Sequence, residues 1–178
     1  MLLYVASSAN ENIPNKYIED CEKVLDQIMK NNDLIFGACN LGIMGASYRS
    51  AKKYQREITG ICSIAYQESL KDINCDNEII TNEIVDSTMT IINKCDAILI
   101  LPGGFGTVYE IFTSIYSKLC HEHDKPIIIY NSCGYYDKLL SFIDDMYNQE
   151  FASSKIKDKY FVVNSLDEIL NYLENYTK

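Results

Sequence analysis

One short stretch of the chain combines residue types that bind an anion with a carboxylate that could act on the bound group. Residues 102–107 read Pro-Gly-Gly-Phe-Gly-Thr, they follow an apolar run at 97–101, and Glu110 comes three residues later. A glycine turn between a buried strand and a helix directs free backbone N–H groups and the positive end of the helix dipole at one place. We therefore expect a phosphate there, with Glu110 within reach of it.

Packing and helix stability alone would also favour these residues. Glycine turns between strands and helices occur without any ligand, and the helix dipole by itself favours Glu in a first turn. Two nucleotide motifs are excluded. The stretch lacks G-x-x-x-x-G-K-[ST], and Tyr109 stands where the dinucleotide fingerprint has its third glycine.

Two further loops carry polar or small residues directly after predicted strands. Ser7 and Ser8 follow the first strand, and residues 37–45, with Asn40 and Met44, follow the second. Because parallel strands end at the same edge of a sheet, we expect these loops and the 102–107 turn to converge on one crevice. Ser8 and Met44 are candidate substrate contacts, and Ser7 and Asn40 could bond ribose or base. Alternatively, the polar residues could serve only to stabilise the turns, and Met44 could be a residue of the hydrophobic core.

The elements that must position these residues alternate between strand and helix along the whole chain. This order is typical of βαβ units, whose right-handed crossovers produce a parallel sheet with helices on both faces. We predict an α/β protein with a Rossmann-like doubly wound sheet, one domain over residues 1–178, and a helix that begins at Thr107. The predicted strands are 2–6, 34–36, 58–62, 78–81, 97–101, 126–130 and 160–163.

Composition narrows the possible partners. The formal net charge of −9, from 25 acidic and 16 basic residues, argues against binding nucleic acid or an anionic membrane. No run approaches the roughly 20 apolar residues of a membrane span. Seven irregularly spaced cysteines without C-x-x-C indicate a reducing cytoplasm. His121 and His123 are two residues apart on different faces of a helix end, so we expect no metal there, and the chemistry considered below needs no cofactor.

Residues 102–110 resemble the P-G-G-x-G-T-x-x-E motif of the LOG (Lonely guy) family, often labelled possible lysine decarboxylase. The Gly-Ile-Met-Gly at 42–45 is similar to that family's G-L-M-G, and the serine pair at 7–8 matches the pair after its first strand. The resemblance implies a Rossmann-like homodimer that hydrolyses the N-glycosidic bond of an adenine-type nucleoside 5′-monophosphate. Glu110 would be catalytic, and the phosphate would be held by Gly103, Gly104, Gly106 and Thr107.

The chain departs from the family's pattern in two places. Family members tend to read G-G-G where this chain has Gly-Ala-Cys at 37–39. The family's second catalytic residue is an Arg nine positions before the Asp that precedes the central strand, and counting back from Asp96 gives Ser87. Lys94, Arg49 or a partner subunit could supply the missing cation. The alternative function is a nucleotide-binding sensor with little or no hydrolysis. A deoxyribosyltransferase-like enzyme is a third possibility.

Overall fold

Seven parallel strands form a single sheet in the computed structural model, which describes residues 1–176. The strands are β1 (Leu2–Ala6), β2 (Asp33–Phe36), β3 (Ile58–Ser63), β4 (Asn77–Thr81), β5 (Ala97–Ile100), β6 (Ile127–Tyr130) and β7 (Phe161–Val163). Their order in the sheet is β4-β3-β2-β1-β5-β6-β7. The chain winds outward from β1 in one direction and then returns to continue from β5 in the other. The switch point, where such sheets bind ligands, therefore lies between the carboxyl ends of β1 and β5.

Helices cover both faces of the sheet. They are α1 (Asn15–Ile28), α2 (Gly42–Lys53), α3 (Ile84–Lys94), α4 (Phe105–Leu119), α5 (Asp137–Asn148) and α6 (Leu166–Tyr176). Apolar side chains of α1, α2 and α6 share one buried cluster, and those of α3, α4 and α5 share the other. Short 3-10 segments occur at Ile64–Asp72, Ser132–Gly134 and Ser154–Lys159. Within residues 1–176, no helix is both long and apolar enough to cross a membrane.

The central strand β5 shows why its sequence is a continuous apolar run. Ala97 and Leu99 point into the cluster beneath α1, α2 and α6, whereas Ile98 and Ile100 point into the cluster beneath α3, α4 and α5. All four residues are buried. A strand with helices on both faces has no solvent side, so the alternation of polar and apolar residues disappears.

The predicted α/β class and doubly wound parallel sheet are confirmed, and each predicted strand agrees with the structure to within one residue at either end. The predicted start of α4 at Thr107 is wrong by two residues. Gly104 is the N-cap and its carbonyl accepts the Val108 N–H at 2.9 Å, so Phe105 and Gly106 already belong to the first turn. Glycine's low helix propensity hid this start. The single domain over residues 1–178 stays a prediction, and 177–178 lie outside the described part.

The three loops at the carboxyl edge of the sheet are joined by backbone hydrogen bonds. The Ser8 N–H donates to the Pro102 carbonyl at 3.1 Å, and the Met44 N–H donates to the Ser8 carbonyl at 3.0 Å. Gly42 lets the second loop approach the first: its φ is +57°, and a Cβ there would lie 2.7 Å from the Asn10 carbonyl oxygen. The predicted convergence of these loops is therefore confirmed.

Candidate active site

The N-terminus of α4 presents unused hydrogen-bond donors at the switch point. No side chain caps the helix. The backbone N–H groups of Phe105, Gly106 and Thr107 donate to no atom of residues 1–176. These are the donors that every helix leaves free in its first turn, and the helix dipole adds partial positive charge beside them. The surface around them is open, with Phe105 98% exposed.

The three glycines of the turn differ in what the fold requires of them. A Cβ on Gly103 would lie 2.1 Å from Thr107 Oγ1, so the buried Thr107 side chain occupies the space that a larger residue would need. At Gly104 and Gly106, by contrast, a Cβ would meet no atom within 4 Å, and neither φ is positive. Packing therefore does not require glycine at 104 or 106, and neither residue has the positive φ that favours glycine.

The Glu110 carboxyl lies one turn into the same helix, in a half-buried position. Burial raises its pKa to about 7, and the nearby Tyr4 hydroxyl partly offsets that rise. Tyr4 belongs to β1; its hydroxyl is buried without a hydrogen bond of ordinary geometry, and Glu110 is the carboxylate that faces it. No Lys or Arg of the described residues contributes to the shift at Glu110. The acid is therefore accompanied by a phenol instead of a cation.

Ser87 stands where the resemblance places the family's Arg, and its hydroxyl is already hydrogen-bonded. Ser87 is buried on α3, and its hydroxyl lies 2.6 Å from Thr81 Oγ1. The expectation that Lys94 could replace the Arg is wrong. Helices run antiparallel to the strands, so the end of α3 brings Lys94 beside Leu2 and Asn77, at the amino edge of the sheet.

Arg49, the other candidate cation, is also engaged. Its guanidinium donates to Asn40 Oδ1 at 3.2 Å and lies 3.6 Å from Glu22 Oε1. It therefore holds the loop after β2 in place. The remaining expected source of a cation beside Glu110 is a partner subunit.

The other predicted contacts lie around the same crevice. Ser8 Oγ accepts the Asn10 N–H at 3.1 Å, which is turn chemistry, and the Met44 thioether packs against the backbone of Gly37. The Ser7 hydroxyl is different, because it is buried and has no partner in the described residues. The whole Ser7 hydroxyl is therefore unused, and the Ser8 hydroxyl, which accepts in this bond, can still donate to a ligand. Ser8 as a substrate contact stays a prediction.

Two tyrosines that the sequence did not single out support the glycine turn from the loop after β6. The Tyr136 hydroxyl donates to the Leu101 carbonyl and the Tyr135 hydroxyl to the Gly103 carbonyl, each at 2.8 Å. More than 30 residues separate the partners in both contacts. A local sequence pattern carries no signal for pairs so far apart.

Comparison with known sequences identifies relatives over most of the chain. A family model described as possible lysine decarboxylase matches residues 44–173. Cytokinin riboside 5′-monophosphate phosphoribohydrolase LOG2 of Arabidopsis thaliana is 30% identical over 154 residues, covering 84% of this chain and 70% of that protein. The Mycobacterium tuberculosis protein named cytokinin riboside 5′-monophosphate phosphoribohydrolase is 26% identical over 139 residues, covering 77% and 74%.

Comparison with solved structures finds the same fold over nearly the whole chain. The molybdenum cofactor carrier protein of Chlamydomonas reinhardtii has a TM-score of 0.70 at 13% identity, covering 98% of this chain and 96% of that one. The molybdenum cofactor binding protein of Rippkaea orientalis has a TM-score of 0.67 at 17% identity, covering 99% and 97%. At these identities the likeness concerns the fold alone.

The raised pKa of Glu110 makes a prediction about stability. Between an unfolded pKa of about 4.3 and the folded pKa, the folded state keeps a proton that the unfolded state has lost. The free energy of unfolding therefore falls as the pH rises from the unfolded pKa to the folded pKa. Above about pH 7 the full cost of burying the charged carboxylate is present. We expect Glu110→Gln, which carries no charge to bury, to raise the free energy of unfolding at pH 8 by about 1–2 kcal/mol after allowance for solvent screening.

Urea unfolding at pH 5, 6, 7 and 8 measures this effect. The gain from Glu110→Gln should shrink as the pH falls towards 4.5. Glu122→Gln, at an exposed carboxyl, is the matched control and should show no such trend. A gain that is absent at pH 8, or independent of pH, would contradict the buried environment described for Glu110.

Proposed function

The chain belongs to the possible lysine decarboxylase family, and on that premise we propose that it is a nucleoside 5′-monophosphate phosphoribohydrolase. Its substrate would be adenosine 5′-monophosphate or an N6-modified form, and its products free base and ribose 5-phosphate. The relatives matched above carry this activity in their names. The observation that supports the proposal most is the pair of glycines that packing does not require, Gly104 and Gly106, beside three unused N–H groups.

The 5′-phosphate is assigned to the N-terminus of α4. The free N–H groups of Phe105, Gly106 and Thr107 provide the donors, and the helix dipole favours the negative charge. Because Gly104 and Gly106 carry no Cβ, a phosphate can approach the backbone directly. Binding energy from this remote group then positions the sugar for reaction.

The carboxyl of Glu110 is assigned to the reacting carbon of the sugar. Glu110 lies five positions beyond Phe105 in the helix, a rise of about 7.5 Å, so the acid can face the ribose while the phosphate stays at the helix end. Cleavage of the bond between C1′ and the base builds positive charge on the ribose. An ionised Glu110 stabilises that charge and takes a proton from the attacking water. The water oxygen joins C1′ as the bond to the base nitrogen breaks, and the base takes up one proton from solvent, which balances the proton that the water gives to Glu110.

The activity should depend on pH in the direction set by Glu110. Its pKa of about 7 leaves the acid half protonated at neutrality, and only the ionised form performs the proposed role. We therefore expect the rate of base release to rise about tenfold between pH 6 and pH 8. Glu110→Gln should reduce the rate at least about 100-fold at every pH.

Chromatographic detection of free base from AMP and from N6-prenylated AMP is the test. Glu122→Gln, an exposed acid just beyond α4, should retain full activity. If neither substrate releases base at any pH, the proposed hydrolysis is wrong for this chain.

A matched glycine pair tests the phosphate site. Gly106→Ala should fold normally or be stabilised by up to about 1 kcal/mol, because its Cβ meets no atom and alanine is the better helix former. Its methyl group would occupy the space proposed for the phosphate, so the Kd for AMP should rise at least about tenfold. Gly103→Ala should instead lower stability, because its Cβ would overlap Thr107. Calorimetry and urea unfolding separate the two effects, and unchanged AMP binding in Gly106→Ala would refute this phosphate site.

A nucleotide-binding protein with little hydrolysis is the second function, and one observation favours it. Ser87 occupies the position of the family's Arg, and its hydroxyl is hydrogen-bonded to that of Thr81. Within the described residues, no Lys or Arg contributes to the pKa shift of Glu110. Tight AMP binding without release of base would support this function over the hydrolase.

A second copy of the chain is the proposed partner. The outer sides of α3 and α4, on the same face of the sheet as Glu110, expose the apolar side chains of Ile84, Val85, Phe112 and Tyr116. A homodimer would cover this face and bring partner groups close to the acid. Surfaces of this kind commonly mark protein interfaces.

A tyrosine pair tests the dimer. Tyr116 on α4 is 70% exposed, and Tyr66 in the Ile64–Asp72 segment is 60% exposed. Sedimentation should show twice the chain mass of 20.4 kDa for the wild type and for Tyr66→Asp, but a monomer for Tyr116→Asp. A monomeric wild type, or a dimer insensitive to Tyr116→Asp, would contradict this interface.

A further inference from the structure

We propose that Tyr135 is a positioning residue of the anion site, because its bond to the Gly103 carbonyl turns the N–H of Gly104 towards the bound phosphate. This inference rests on the proposed function, since it needs an anion at the N-terminus of α4. It adds a fourth backbone donor to the three already described. It also assigns a role to a loop that contributes no side chain to the proposed chemistry.

The geometry begins with the Tyr135 hydroxyl, which donates to the Gly103 carbonyl at 2.8 Å. A trans peptide holds its carbonyl and its N–H on opposite sides of the peptide plane, and the chain has no cis peptide in its described part. The carbonyl of Gly103 and the N–H of Gly104 belong to the same peptide. With the carbonyl held towards Tyr135, the N–H must therefore point away from it.

The direction left to that N–H is the open side of the turn. The N–H of Gly104 donates to no atom of residues 1–176, and Gly104 is exposed, with empty space where a Cβ would lie. It directly precedes the free donors of the first turn of α4. Four successive free N–H groups in one turn form a stronger anion site than the helix end alone.

The Tyr135 ring is itself held from two sides. Its centroid lies 5.3 Å from that of Tyr17 on α1 and 4.9 Å from that of Tyr136, both in edge-to-face contacts. The loop is anchored by Asn131, whose Oδ1 accepts the Tyr136 N–H at 2.7 Å and whose amide nitrogen donates to Asp137 at 2.8 Å. The hydroxyl therefore has a defined position from which to orient the peptide.

The neighbouring Tyr136 provides a matched control. Its hydroxyl makes a bond of the same length to the Leu101 carbonyl. That carbonyl shares its peptide with Pro102, which has no N–H. Tyr136 thus supports the same segment but can direct no donor at the ligand, so the two tyrosines differ in the property that matters here.

Tyr135→Phe and Tyr136→Phe, compared with the wild type, test the inference. Calorimetry with AMP, ribose 5-phosphate and adenosine should show Kd values five- to tenfold weaker in Tyr135→Phe for the two phosphorylated ligands and unchanged for adenosine. Any hydrolysis should show a raised KM with unchanged kcat. Tyr136→Phe should lower the urea midpoint, because it leaves a buried carbonyl unpaired, while its Kd for AMP stays that of the wild type.

Three results would overturn the role of Tyr135: wild-type Kd values for AMP in Tyr135→Phe, an equal loss of AMP and adenosine binding, or the same loss of AMP binding in Tyr136→Phe. Failure of the proposed function can be distinguished from failure of the inference about Tyr135. A wild type that binds AMP but releases no base overturns the hydrolase and leaves this inference standing. A wild type that binds neither AMP nor ribose 5-phosphate removes the anion site and this inference with it.

Discussion

The parallel pairing of β1 with β5 is the constraint on which the rest of the site depends. These strands are far apart in the chain, and their register places Tyr4 beside Ile98 and Ala6 beside Ile100. Both strands therefore end at the same level, so the Ser8 N–H can reach the Pro102 carbonyl. The same register brings the Tyr4 hydroxyl under the carboxyl of Glu110. A shift of one residue would turn every side chain of β1 to the opposite face and remove these contacts.

Two opposing effects set the state of Glu110. Burial disfavours the charged acid and is the larger influence, whereas the phenol of Tyr4 favours the charged form. A guanidinium in the same place would lower the pKa far more, because a full opposite charge outweighs a neutral donor. Among the described residues no such group is present beside Glu110, so its protonation changes near neutrality. The identity of one neighbouring side chain thus decides the pH range in which the acid can act.

The glycines of the turn serve two purposes, because one is needed for packing and two leave room for a ligand. Gly103 is required by the packing of Thr107, while Gly104 and Gly106 leave space that nothing in the described chain uses. The carbonyl groups at the turn face the protein, where the hydroxyls of Tyr135 and Tyr136 donate hydrogen bonds to them. The N–H groups then remain for solvent or a ligand. Backbone donors fixed before binding need no reorganisation when an anion arrives.

The sequence by itself determined the fold class, the strands and the convergence of loops on the turn at 102–107, because each follows from local periodicity, glycine placement and the rules of parallel sheets. It also singled out Glu110 from its spacing. Only the tertiary structure decided what surrounds that acid: Tyr4 beneath it, Lys94 at the opposite edge of the sheet, and Tyr135 behind the turn. Such contacts join residues distant in the chain, and they depend on strand order and register, which a local pattern does not encode.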